Sequence, residues 1–148
     1  MFVAEFDLQS FYPPDLKVLG VNDFDDHIVI HMHSISNEVT CHKCGVPLFK
    51  HHGTQCRRVQ DLPILGKNVM LDMQICDYKC TSDSCGSFAA TETFDGFLGH
   101  NSRVTERLKD FICMLAIETS CEASARILNS VNLKVSGDTV IRLPINRY

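Results

Sequence analysis

The sequence predicts an α+β chain of three consecutive units: a small N-terminal β unit (1–40), a cysteine-clasped β-hairpin domain (41–95) and a three-helix unit closing in a helix-turn-helix (100–148). Three observations predict it. Two β-branched runs flank an acidic turn before residue 40. Two short cysteine pairs, Cys41/Cys44 and Cys80/Cys85, bracket 35 residues that hold a strict alternation of apolar side chains. Beyond residue 101 the apolar spacing changes from two to that of a helix.

The first unit follows from Leu16-Lys17-Val18-Leu19-Gly20-Val21 and His27-Ile28-Val29-Ile30-His31-Met32-His33, joined by Asn22-Asp23-Phe24-Asp25-Asp26. Ile28, Ile30 and Met32 alternate with Val29, His31 and His33. The two histidines share a strand face, where they can bind a metal but read first as solvated surface, and the acidic turn reads as a solvated loop.

The second unit follows from Val69, Leu71, Met73 and Ile75, a period-2 stripe, with Gly66-Lys67-Asn68 as the turn that reverses the chain. That hairpin carries Cys80 and Cys85 back beside Cys41 and Cys44. Four thiolates from two knuckles make the closed tetrahedral site of a structural zinc ion, so the unit is zinc ribbon-like. Zinc is therefore the expected cofactor, structural and not catalytic, with Cys41, Cys44, Cys80 and Cys85 as ligands. Cys76 competes with Cys85 through Cys76-x3-Cys80, and His42 competes more weakly. Cys113 reads as core, and Cys56 and Cys121 as packing residues. Phe88 and Phe94 are expected to cover the small core. A redox use of Cys41-x-x-Cys44 wants a βαβ setting, which is missing.

In the third unit Val104, Leu108, Ile112 and Leu115 recur at helical spacing with Phe111 alongside, after an N-cap at Asn101 or Ser102. A second helix runs from about Cys121 through Asn129. Ser136 caps a third helix, with Asp138 in its first turn, and Pro144 ends or kinks it after two turns.

Composition bounds the function. The chain has 148 residues, 45% of them hydrophobic, with eight cysteines and a net charge of −4. No apolar stretch approaches the roughly 18 residues of a membrane span, and the N-terminus lacks the basic start of a secretory signal. A cytoplasmic, reducing setting is expected, in which cysteines mean metal or core before disulfides. Residues 1–40 hold one lysine and seven acids, a net of −6, whereas 41–148 hold 13 Lys+Arg and 11 Asp+Glu, a net of +2. Affinity for a phosphate backbone would have to come from local clusters.

Leu16-Lys17-Val18-Leu19-Gly20-Val21, Cys41-x-x-Cys44-Gly45, Arg58-x-x-Asp61-Leu62-Pro63, Gly66-Lys67-x-Val69, Cys80-x4-Cys85, Ala123-x-Ala125-Arg126 and Ser136-Gly137-Asp138-Thr139-Val140-Ile141-Arg142 follow in an order and spacing that is similar to one family. From about Asp15 to Tyr148 the chain resembles the N-terminal region of bacterial insertion-sequence transposases of the DDE type. The resemblance implies a four-cysteine zinc domain and a helix-turn-helix that bind double-stranded DNA at the terminal inverted repeats. A nuclease domain lies beyond this region in the family, so the chain itself is expected to be non-catalytic and to take no small-molecule substrate. A cytoplasmic, nucleoid-associated location and a second copy of the chain as partner go with this reading. Candidate DNA contacts are Gly137, Thr139 and Arg142 on the third helix, Lys134 in the turn, Arg126 on the second helix, and Lys50, Arg57 and Arg58 on the ribbon. The competing reading is a zinc-ribbon adaptor that binds proteins through residues 1–40 and exposed strand edges.

Overall fold

The computed structural model describes residues 6–36, 39–41, 43–48, 51–80, 82, 85, 90–99, 102–137, 139, 140 and 142. A 3-10 turn, Leu8–Phe11, precedes strands β1 (Leu16–Asp23), β2 (His27–Ser34), β3 (Val39–Thr40), β4 (Pro47–Leu48), β5 (His51–Ile64), β6 (Lys67–Tyr78) and β7 (Ala90–Thr91), then helices α1 (Glu106–Glu118) and α2 (Cys121–Ser130). The expected strands at 16–21 and 27–33 are present with nearly the expected bounds.

The architecture corrects the expected one. A single mixed sheet of order β1-β2-β6-β5 contains both the N-terminal β unit and the hairpin, with β7 also on β6, and β3-β4 forming a separate small ladder. Joining occurs through parallel pairing of β2 with β6, from His27↔Asn68 to His33↔Gln74. The reason is burial. Ile30 and Met32 on β2 and Val69, Leu71, Met73 and Ile75 on β6 are all at most 1% exposed, and they share one core with Leu16, Val59 and Phe97. Two short amphipathic ribbons could not each bury such stripes alone. Phe94 belongs to this sheet core and does not cover the cysteine knuckles, while Phe88 lies outside the described residues.

The β5-β6 turn also sits one residue earlier than expected. Leu65 and Gly66, with φ of 49° and 78°, form the two-residue loop, so Lys67 and Asn68 already belong to β6. Both central φ values are positive, as the twist of a tight hairpin demands. Pro63 is tolerated because the ladder shifts register between Asp61 and Ile64.

The expected three-helix helix-turn-helix is likewise corrected: two helices, not three, are described. Thr105, not Asn101 or Ser102, caps α1, accepting from the Leu108 amide. Val104 is drawn out of the helix into a bridge with Gln60, because Ser102 Oγ turns back on Val104. Ser120 caps α2. Ser136 starts a helical turn, with Thr139 N donating to its Oγ at 3.3 Å and Val140 N to its carbonyl at 3.2 Å, and Gly137, Thr139, Val140 and Arg142 are helical, a short stretch beside the two named helices. Asp138, Ile141 and Pro144 lie outside the described residues. Instead of a free-standing bundle, Leu108, Ile112, Leu128, Leu133 and Val140 form a core that also takes Leu62 from β5.

Asp61 fastens those helices to the sheet. Its side chain is 2% exposed and accepts from Thr105 Oγ1 at 2.8 Å and Arg107 Nε at 2.7 Å, with Arg107 Nη2 on its other oxygen. Arg107 Nη1 donates to the Phe11 carbonyl, and the guanidinium lies 5.1 Å and 5.3 Å from the Tyr12 and Phe97 rings. Removing one partner of a buried pair costs about 3–5 kcal/mol. Because Arg107 is 34% exposed, water recovers part of that, and Asp61→Ala is expected to cost about 2–3 kcal/mol in urea unfolding.

Candidate metal centre and polar cleft

Each cysteine pair is built by a turn at a strand end. Cys41 follows β3 and Cys44 precedes β4. The knuckle between them closes through Gly45 N to the Cys41 carbonyl at 2.9 Å and Cys41 N to the Val46 carbonyl at 3.0 Å. Gly45 has a φ of +70°, a conformation that a side chain would strain. Cys80 follows the end of β6, and Cys85 N donates to the Ser82 carbonyl.

These turns bring Cys41, Cys44, Cys80 and Cys85 together, all four Sγ atoms within 4.8 Å of one another. Cys41–Cys85 and Cys44–Cys80 are each 3.7 Å apart. A tetrahedron with metal–sulfur bonds of about 2.3 Å has an edge of about 3.8 Å, so the set matches the first shell of a metal ion. Cys76 is not in the group. It is half-buried beside the small core of Val39, Leu48, Tyr78 and Ala90 that backs the knuckles, and burial, then Glu92, pushes its thiol up. His42 lies outside the described residues.

Backbone amides and neighbouring sulfurs split the thiols. Cys41 is lowered to about 6, first by the amides of Cys44 and Lys43. At Cys80 the Ser82 amide pulls downward, but burial and hydrogen bonds with Cys44, Cys41 and Cys85 outweigh it and push the thiol up to about 12. Four adjacent sulfurs cannot all shed their protons without a cation among them.

The other cysteines fall elsewhere. Cys113 is buried, as expected, and Cys121 packs at the helical core. Cys56, expected to pack, is exposed on the outer face of the sheet and donates to Asp72 Oδ1 at 2.8 Å, which raises its pKa. Asp72 also meets His31 Nδ1 at 3.3 Å, and His31 Nε2 meets Asn22 Oδ1 at 2.7 Å. His31 is thus engaged along the sheet surface.

The candidate DNA contacts separate. Arg57 and Arg58 do not form one cluster: alternation along β5 puts Arg57 on the face of Val59 and Asp61, and Arg58 on the opposite one. Lys50 lies outside the described residues. Arg126 and Arg142 are exposed on the helical side, a Cβ added at Gly137 would come within about 4.0 Å of the Cys121 backbone, and Thr139 Oγ1 lies 3.1 Å from Ser136 Oγ. Arg58 and Lys134, 76 positions apart, do come to one place. They line one cleft of about 480 Å³ with Phe24, Asp26, His27, Val29, Gln60, Asn68, Met70 and Asn132. Sequence reasoning missed this cleft because it read the 22–26 turn as solvated; its one available signal was an aromatic, Phe24, inside an acidic turn.

No protein family, curated protein or solved structure matches the chain. No helix among the described residues is long and apolar enough to cross a membrane.

Replacing one ligand should collapse the centre. Cys80→Ser is expected to take bound metal from one ion per chain to none and to unfold the knuckle end of the hairpin while α1 and α2 retain helical circular dichroism. An unchanged metal content or melting curve would contradict the assignment. Acidification is expected to release the ion, since protons compete for thiolates.

Proposed function

We propose that the protein is a zinc-stabilised module that binds double-stranded DNA. Zinc is the choice because four thiolates with no fifth donor suit a closed, non-reactive site. The ion would hold the knuckles to the hairpin end and supply no step of chemistry. Iron also accepts four thiolates; elemental analysis and the absence of a visible charge-transfer band distinguish zinc.

The observation that carries the DNA reading is the convergence of Arg58 and Lys134 on one cleft. Neither makes an ion pair among the described residues, although Asp26 lines the same cleft and Asp72 stands across from Arg58 on β6, and two cations on one opening suit a phosphate backbone. The acids nearby are engaged: Lys67 binds Asp23 at 2.6 Å, and His27 meets Asp26 at 2.7 Å, holding the Asp26 carboxyl below its ordinary range. The likeness to transposase N-termini supplies the kind of DNA, the ends of an insertion element.

A second reading, a protein-binding adaptor, is favoured by a different observation. Phe6, Phe11 and Val21, each about half exposed or more, line an apolar groove of about 540 Å³ with Leu62, Pro63 and Ile64. Salt separates the two. DNA affinity should fall steeply with ionic strength, and Arg58→Ala or Lys134→Ala should each flatten the log K against log salt slope by about 1. Binding that ignores salt, or slopes that do not move in either variant, would refute the DNA reading.

A further inference from the structure

We infer that the Arg58–Lys134 cleft receives a single unpaired nucleotide, so that the DNA is gripped where one base has left the stack; this rests on the DNA reading above. Duplex recognition places a protruding protein element in a groove of the DNA. This site is the reverse, a concavity in the protein, and its volume of about 480 Å³ lies in the range of about 300–1,000 Å³ typical of small-ligand pockets.

Its lining, apart from Asp26, which is paired with His27, matches the three parts of a nucleotide. Phe24 and His27 are stacked with centroids 4.5 Å apart and planes 11° from parallel, forming a flat aromatic platform on which a base can add a further layer. Val29 and Met70, cross-strand neighbours in the parallel ladder, give an apolar floor. Three carboxamides, Gln60, Asn68 and Asn132, offer paired donors and acceptors for a base edge. Gln60 Nε2 donates to Asn68 Oδ1 at 3.3 Å, which leaves the Gln60 oxygen and the Asn68 amide nitrogen without a partner among the described residues. Arg58 and Lys134 supply charge for the phosphate.

The cleft is also pinned in shape. Lys67 Nζ ties the Phe24 turn to the hairpin through Asp23 Oδ1 at 2.6 Å and the Phe24 carbonyl at 2.8 Å. Asn68 N donates to the Asp26 carbonyl at 3.1 Å. Asn132 Nδ2 holds the segment after α2 to the Gly66 carbonyl at 2.9 Å. Three distant stretches of chain are thus locked around the opening before any ligand arrives, which lowers the entropic cost of binding.

The test uses the metal-loaded protein and two DNA duplexes, one fully paired and one carrying a single unpaired 2-aminopurine. The bulged duplex is expected to bind about tenfold tighter, with quenching of 2-aminopurine fluorescence as the base stacks. Phe24→Ala, at a position 47% exposed and hence tolerant of change, is expected to abolish both the preference and the quenching. Gln60→Ala is expected to reduce the preference without changing the salt slope. Equal affinity for the two duplexes, unquenched fluorescence, or a preference that survives Phe24→Ala would overturn the inference and leave the DNA reading standing. Failure to bind either duplex would overturn both.

Discussion

The carboxylate of Asp61 is the constraint on which the arrangement of the layers depends. It sits on β5 at the edge of the sheet core, yet it accepts from Thr105 and Arg107, in the segment that begins α1. Through Arg107 the same charge reaches the Phe11 carbonyl and the rings of Tyr12 and Phe97. One buried anion therefore orients the N-terminal turn, the hairpin, the loop after β7 and the first helix. An apolar residue there could pack but could not dictate direction. Backbone bonds between Gln60 and residues 103 and 105 continue the junction, so the helices are an extension of the sheet edge.

The cysteine quartet lies at the opposite end of the same long hairpin. Asp61 faces Val69 in the ladder, and Tyr78 closes β6 nine residues later, about 30 Å away at a strand's rise per residue. Tyr78 bonds the Ser36 carbonyl, and the buried Glu92 accepts from the Cys76 amide. The hairpin is thus anchored by charge at one end and by sulfur at the other, with its outer face left open between them. That open face carries the Cys56–Asp72–His31 chain and the polar cleft.

Much of this was legible in the residues and some was not. The period-2 stripe of Val69 through Ile75 and the β-branched runs of the first unit announced their strands, because burial on one face imposes alternation directly. The cysteine quartet was legible because ligand spacing is a local property. What could not be read was that β2 would pair in parallel with β6. Parallel partners are joined by no hairpin turn, so nothing near either strand signals the match. The cap of α1 was misplaced because Ser102 and Thr105 are equally good capping residues, and only the tertiary pull of Asp61 and Gln60 chooses between them. Arg57 and Arg58 looked like one basic cluster in sequence, and the strand's alternation divided them between two faces.

The parallel ladder has a consequence for the order of assembly. His27 and Asn68 meet across 41 positions of chain, whereas β5 and β6 are linked by two turn residues. Closing the longer loop is the larger entropic hurdle, so the hairpin zips first and presents a ready template edge. Strand β2 is then expected to dock on that edge and complete the core.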